Sequence, residues 1–151
     1  AAQRIGEFVP AEHRGEVMDG LRGSTIVDDS YNSSPTSLVA ALDVLRASGA
    51  PERLAIIGDM LELGDRTPSA HREAGRLVAG SATRLIAVGE HAEVVAAAAI
   101  AAGMPAAAVA RAGDAAGAAE LALPLLRPGT VVLVKGSRGI GLDRVVERLR
   151  A

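Results

Sequence analysis

Short apolar runs alternate with longer amphipathic ones along most of this chain, and that alternation limits the possible folds more than any other feature. Ser24–Asp29 (STIVDD), Arg53–Ile57 (RLAII), Arg84–Val88 (RLIAV) and Thr130–Val134 (TVVLV) have the length and character of buried strands, with Ala108–Arg111 a weaker one. Between them, Thr36–Ala47 carries Leu38, Leu42 and Leu45 on one helical stripe. Thr67 and Pro68 open a second helix as cap and first helical residue, running to Ala79 and ending near Gly80. His91–Ala102 is a third, stopped by Gly103 and Pro105. Asp114 caps an alanine-rich helix reaching Leu126, and Leu142, Val145, Val146 and Leu149 form the apolar face of a closing one. Upstream, Glu12–Met18 reads as a polar edge strand, with turn chemistry at Asp19-Gly20 and Gly23. Ala1–Phe8 reads as the tail of a helix ended by Pro10. Repeated β-α units with right-handed crossovers predict an α/β fold: a mostly parallel open sheet of about six strands with helices on both faces.

The chain's 151 residues are enough for one domain and its core. With one Phe, one Tyr and no Trp, that core has to come from Leu, Ile, Val and Ala, which suits a Rossmann-like stack of helices on a parallel sheet. Sixteen basic residues against 18 acidic ones leave a net charge of −2, which argues against a nucleic-acid footprint or a polybasic membrane anchor. Having no cysteine, the chain has no disulfide framework, thiolate metal site or thiol nucleophile, and a cytoplasmic location is expected. No apolar run approaches the ~20 residues that span a bilayer. The start, Ala1-Ala2-Gln3-Arg4, has neither an initiator Met nor the apolar core of a signal peptide, and reads as a cut inside a longer protein.

In open α/β sheets, ligands bind beyond the carboxyl ends of the strands. Three strand-to-helix junctions are polar: Asp28–Pro35 (DDSYNSSP), Gly58–Arg66 (GDMLELGDR) and Lys135–Gly141 (KGSRGIG). All three are expected on one rim, whereas the junction after Val88 is plain. In the first, Ser33 or Ser34 serves as a helix cap, Asp29 suits ribose hydroxyls, and Tyr31 offers a flat face for a purine. In the second, Asp59 directly follows strand and glycine, while Glu62 and Asp65 read as solvated loop acids. His71, early in the next helix, either points back to this loop or is satisfied elsewhere. No cluster at metal-ligand spacing is visible, and no metal is expected to bind. The third junction places three glycines beside Lys135 and Arg138, either as an anion-binding loop or as a tight turn. Its GxxGxG spacing is neither GxGxxG nor GxxxxGK[ST]. A dinucleotide-binding oxidoreductase is the alternative reading, because KGSRGIG is similar to the TGxxxGxG loop of short-chain dehydrogenases. That loop is one residue longer and follows the first strand, and the Tyr-x-x-x-Lys pair is missing here.

Taken together, VDDSYNSSPTSLVAALDVL, IIGDMLELGDRTPSAHREAG and VLVKGSRGIGLDRVVERL resemble, in order and spacing, the C-terminal domain of the Mur ligase family, in its dipeptide-adding branch. The likeness runs from His13-Arg14 to the last helix. It implies that residues 1–151 are one such domain, 1–10 being the end of an interdomain linker, with an N-terminal UDP-sugar domain and a central ATPase domain outside the chain. It further implies an ATP-dependent peptide ligase of peptidoglycan synthesis. ATP phosphorylates the terminal carboxylate of UDP-N-acetylmuramoyl-tripeptide, and the amine of D-alanyl-D-alanine attacks the acyl-phosphate. ATP and Mg2+ belong to the full-length enzyme, with Mg2+ held outside this domain.

Residue by residue, the resemblance implies nucleotide contacts by Arg14, Asp29, Tyr31 and Asn32. Asp59, Met60, Lys135, Ser137 and Arg138 are implied to line the face that receives the dipeptide. The family more often reads Asn-Ala-Asn-Pro after the Tyr; here Asn32-Ser33-Ser34-Pro35 keeps a capping residue but not the second amide. No residue of the chain is expected to transfer protons or act as nucleophile, so the isolated domain is expected to be inactive.

Overall fold

A computed structural model describes residues 13–151. The expectations for Ala1–Phe8, Pro10 and the first residue of the predicted edge strand, Glu12, lie outside the described residues. Six strands are described: β1 (Glu16–Asp19), β2 (Thr25–Asp29), β3 (Glu52–Gly58), β4 (Arg84–Val88), β5 (Val109–Ala112) and β6 (Thr130–Lys135). The helices are α1 (Pro35–Ala47), α2 (Thr67–Ala79), α3 (Ala92–Ala101), α4 (Ala115–Ala122) and α5 (Asp143–Leu149). The strands form one sheet in the order β1-β2-β6-β3-β4-β5. Only β1 runs antiparallel to its neighbour; all other pairs are parallel.

Alternation along the strands sorts the core into two layers, since successive side chains point to opposite faces. Val27, Ala55, Ile57, Leu85, Ala87 and Leu133 pack with Leu38, Leu42 and Leu45 of α1, Ala74 and Val78 of α2, and Val95 and Ala99 of α3. Ile26, Leu54, Ile56, Ile86, Val132 and Val134 pack on the other side with Ala118 and Ala122 of α4 and Val145, Val146 and Leu149 of α5. Three helices therefore cover one face and two the other. The chain winds outward from β3 through β5, then returns to insert β6 between β2 and β3. That reversal makes the carboxyl ends of β2, β6 and β3 the switch point of the sheet, where open α/β folds bind ligands.

Small departures from the predicted boundaries have local causes. The edge strand starts at Glu16, after His13 in a left-handed conformation (φ 65°). Ser24 precedes β2 because its hydroxyl donates to Leu21 O and closes a turn. Thr67 is the first residue of α2 and not its cap; its hydroxyl is spent on Gly64 O. Pro124 stops α4 at Ala122, and Leu123–Leu125 tightens into a 3-10 turn. Asp114 caps α4 as expected, accepting from Gly117 N at 2.8 Å. No helix among the described residues is long and apolar enough to cross a membrane.

Candidate functional site

Register brings the first and third junctions side by side. Asp29 of β2 stands opposite Lys135 of β6, and Lys135 in turn stands opposite Ile57 of β3, so the three polar loops leave one rim together. Asp28 is fully buried and organises the first loop. Its Oδ1 accepts from Ser30 N at 3.1 Å and Ser30 Oγ at 2.6 Å, and Oδ2 meets His13 Nδ1 at 2.5 Å. Backbone bonds from Gly15 N to Asp28 O and from Tyr31 N to His13 O dock the His13-Arg14 turn on that loop. Arg14 is thereby carried to Tyr31.

The Arg14 guanidinium lies 3.8 Å from the centre of the Tyr31 ring, and that of Arg138, from the third loop, lies 5.4 Å from it. A hydrogen bond from Arg14, then the charges of Arg14 and Arg138, pull the Tyr31 phenol below its ordinary pKa of 10.0. These residues border a cavity of about 740 Å3 that also takes in His13, Ser30, Gly139, Gly141, Asp143 and Arg144. Three arginines against one acid make it a site for anions. Because Arg14 already covers the Tyr31 ring, a planar ligand stacking there has to displace a guanidinium or use what Arg14 leaves open. A smaller cavity of about 260 Å3 adjoins it, sharing Tyr31, Arg138 and Gly139 and adding Asn32, Leu61, Glu62 and Ser137.

Several expected ligand-facing side chains are turned inward instead. Asp59 is 3% exposed. Its two carboxylate oxygens accept from the backbone N–H groups of Glu90 and His91, both at 2.9 Å, just before α3. Its charge thus stabilises a helix start and is not offered to a dipeptide. Met60 is packed in the core beneath α2. Lys135 is buried, pairing with Asp29 Oδ2 at 3.0 Å and donating to Asn32 O at 2.7 Å, so its ammonium is already neutralised. Ser137 Oγ accepts from Leu61 N at 2.9 Å and Ser137 N donates to Asp59 O at 3.0 Å, tying the second and third loops together. Of the five residues expected to receive the dipeptide, Arg138 alone is exposed on the rim.

Ser34 caps α1 in a capping box with Ser37, whereas Ser33 Oγ is buried without a hydrogen-bond partner. Gly136 and Gly141 of KGSRGIG serve packing and a turn, while Gly139 and Gly141 also border the larger cavity. A methyl group on Gly136 would come within 2.8 Å of Leu142 Cδ1, and Gly141 adopts φ 76° after the 3-10 turn Arg138–Ile140. The loop therefore does not run as a phosphate cradle into a helix, which removes the geometric basis for the dehydrogenase alternative.

His71 points back to the second loop and is also satisfied there. Met60 N donates to Nε2 at 3.0 Å, so Nδ1 carries the proton and donates to Thr67 O at 2.7 Å. Its ring stacks on His91, with centres 4.4 Å apart. Asp59, His71 and His91 bring potential ligand atoms within 4.8 Å of one another, a grouping not legible in the sequence. With both His71 nitrogens and both Asp59 oxygens already bonded, the trio fits a clasp between β3, α2 and α3 better than a metal centre.

Residues of the rim that the sequence did not single out include Arg144, Ser30 and Leu61. Ser30 and Leu61 lie in the first two junctions, and only that placement could have pointed to them, while Arg144 comes from the first turn of α5.

The chain matches the family model described as Mur ligase, glutamate ligase domain, over residues 13–138. It is 32% identical to UDP-N-acetylmuramoyl-tripeptide–D-alanyl-D-alanine ligase of Mycobacterium leprae, over 92% of this chain and 30% of that protein. Against the enzyme of that name from Mycobacterium tuberculosis (strain ATCC 25618 / H37Rv) the identity is 36%, over 93% of this chain and 31% of the relative. The chain thus spans about 30% of the length of the curated relatives it matches. Among solved structures it is similar to MurF ligase from Thermotoga maritima in complex with ADP (TM-score 0.74, 27% identity, 93% of this chain and 30% of that one). MurF from Acinetobacter baumannii is similar as well (TM-score 0.79, 26% identity, 91% of this chain and 30% of that one).

Proposed function

The chain belongs to the Mur ligase family, and from that premise we propose that residues 1–151 form the C-terminal domain of an ATP-dependent ligase of peptidoglycan synthesis, with residues 1–10 closing an interdomain linker. On this reading the full-length enzyme works in the cytoplasm, joining D-alanyl-D-alanine to UDP-N-acetylmuramoyl-tripeptide. This domain orients the dipeptide and the adenosine side of ATP.

The observation that carries the proposal is the convergence of Arg14, Tyr31 and Arg138 around one anion-seeking cavity at the switch point of the sheet, with Asp29 ending β2 two residues before Tyr31. The Thermotoga relative of the same fold was solved with a nucleotide, ADP. Asp29 gives Oδ2 to Lys135, so Oδ1 is the oxygen for a ribose hydroxyl. Tyr31 supplies the aromatic surface for the base, Asn32 flanks it, and Arg14 and Arg138 supply charge for phosphate oxygens. Three arginines and the single acid Asp143 suit phosphate better than magnesium, so Mg2+ is assigned to the parts of the enzyme beyond this chain.

Catalysis by this domain is positional. Among the described residues the rim has no base–nucleophile pair, and its contribution is to hold the dipeptide amine against the activated carboxylate and to exclude water when the domains close. The test is ADP release by the full-length enzyme. It is expected to require both dipeptide and UDP-linked tripeptide, while the isolated chain releases none. ATP turnover by the isolated chain, or release by the full-length enzyme without dipeptide, overturns the proposal.

A further inference from the structure

We propose that Arg14 makes the rim selective for phosphorylated nucleotides over neutral nucleosides, by covering the Tyr31 ring until a phosphate draws its guanidinium away; this rests on the nucleotide reading above.

The cover is built into the backbone. Arg14 stands between two residues in the left-handed region, His13 (φ 65°) and Gly15 (φ 84°). At Gly15 a methyl group would meet open space, so the turn itself and not crowding asks for glycine there. His13 has no such freedom, and a non-glycine residue holds this conformation only where its surroundings impose it. They do so from three sides. His13 Nδ1 meets Asp28 Oδ2, Gly15 N donates to Asp28 O at 2.7 Å, and Tyr31 N donates to His13 O at 2.9 Å. Asp28 is fully buried, so the turn is fastened to a fixed point and carries Arg14 over the loop that holds Tyr31.

The side chain at the tip of this turn is held far more loosely than its backbone. Arg14 is exposed and is in no salt bridge among the described residues; its guanidinium rests 3.8 Å from the Tyr31 ring centre. A cation over a ring at the surface is a weak contact, and a charge-assisted bond to phosphate is a stronger one. A neutral planar ligand has to push the guanidinium off the ring and offers it nothing in exchange. Its apparent affinity is lowered by the fraction of time the ring is covered. A nucleotide removes the same cover but gives the guanidinium a phosphate oxygen. Arg138 and Arg144 keep the cavity positive while Arg14 moves. One residue therefore opposes the base and favours the phosphate.

The test compares adenosine with ADP on this chain, read from the ring-proton NMR signals of its single tyrosine. Arg14→Ala, at an exposed position, is expected to bind adenosine about two- to fivefold more tightly than the wild type, the scale of a surface cation–π contact. The same variant is expected to bind ADP about 10-fold more weakly, because the lost phosphate bond outweighs the uncovered ring. His13→Ala, with folding checked by a thermal melt, should move adenosine in the same direction, since the turn is no longer docked on Asp28. Adenosine bound no more tightly by Arg14→Ala than by the wild type overturns the cover, while a Tyr31 signal that still responds to ADP upholds the nucleotide reading. Tyr31 signals that respond to neither ligand in either protein overturn both.

Discussion

Lys135 Nζ lies 3.0 Å from Asp29 Oδ2, with 1% of the lysine side chain exposed against 21% of the aspartate's. The two residues are register partners on adjacent parallel strands, and the same ammonium also reaches Asn32 O. A buried cation therefore fixes both the Asp29 carboxylate and the backbone that follows Tyr31. The pair is a strut of the site and not itself a free ligand group.

Replacing Lys135 with Met keeps the stem's packing and removes the charge. Asn32 O then loses its donor, and Asp29 loses its counter-ion but keeps some contact with water. The expected loss of stability is about 1–3 kcal/mol, the scale for a stranded polar group. Urea denaturation of wild type and variant checks it. In the full-length ligase the same variant should raise the KM for ATP, because Asp29 is no longer held in place.

The layout of the fold was legible because its signals are local. Arg84–Val88 has the same ends in sequence and structure, and the second helix ends at Ala79 in both, since apolar character and Gly80 set them within a few residues. The convergence of three loops on one rim was legible for a general reason: in a parallel sheet every strand-to-helix junction leaves from the same edge. Side-chain direction was not. Asp59 follows a strand and looks aimed at the rim, yet its partners are the amides before α3, contributed by a different β-α unit. Met60 and Lys135 are concealed in the same way, because what buries them is packed from distant segments. Arg14 reaches Tyr31 only through the His13–Asp28 contact and the backbone bonds around it. Pairing between residues this far apart leaves no trace in one sequence.

Asp59→Asn tests the clasp at the end of β3. An amide has one acceptor oxygen, so one of the two N–H groups before α3 loses its partner and faces an NH2 instead. The expected cost is about 1–3 kcal/mol in urea denaturation. Gly89→Ala attacks the same place from the other side. It puts a methyl 2.4 Å from Asp59 Oδ2 at a residue with φ 110°, and should destabilise as well. If Asp59 instead faced solvent on the rim, both variants would be close to neutral.

Gly75 sets two effects of opposite sign against each other. Glycine inside α2 should favour replacement by alanine, worth about 1 kcal/mol of helix propensity. Gly75 is buried against α3, however, and a methyl there would stand 2.3 Å from Val95 O and 2.7 Å from Ala98 Cβ. A backbone carbonyl cannot rotate away, so the helices must separate, and overpacking of this kind costs about 1–3 kcal/mol. Gly75→Ala is therefore expected to lower stability despite its better helix propensity, seen as a lower midpoint in urea. A rise in the midpoint would mean that α2 and α3 are not in close contact at this point.

Tyr31 can be followed directly, because it is the chain's one tyrosine and there is no tryptophan. Its phenol is shifted below 10.0 by the Arg14 hydrogen bond first, then by the charges of Arg14 and Arg138. Near-ultraviolet titration of the tyrosinate band should show a midpoint below 10, rising most in Arg14→Gln and less in Arg138→Gln. The sign for stability follows: the folded state favours the phenolate. Any contribution is absent below the folded pKa, grows as pH rises through it, and is complete above the unfolded value near 10. The group lies at the surface, so the titration itself is the better measurement. If the rim binds nucleotide as proposed, ADP draws the Arg14 guanidinium toward phosphate and away from the phenol. Saturating ADP should then raise the midpoint in the wild type, and by less in Arg14→Gln, where only Arg138 is left to be drawn away. A midpoint indifferent to ADP in both proteins would take the nucleotide away from Tyr31.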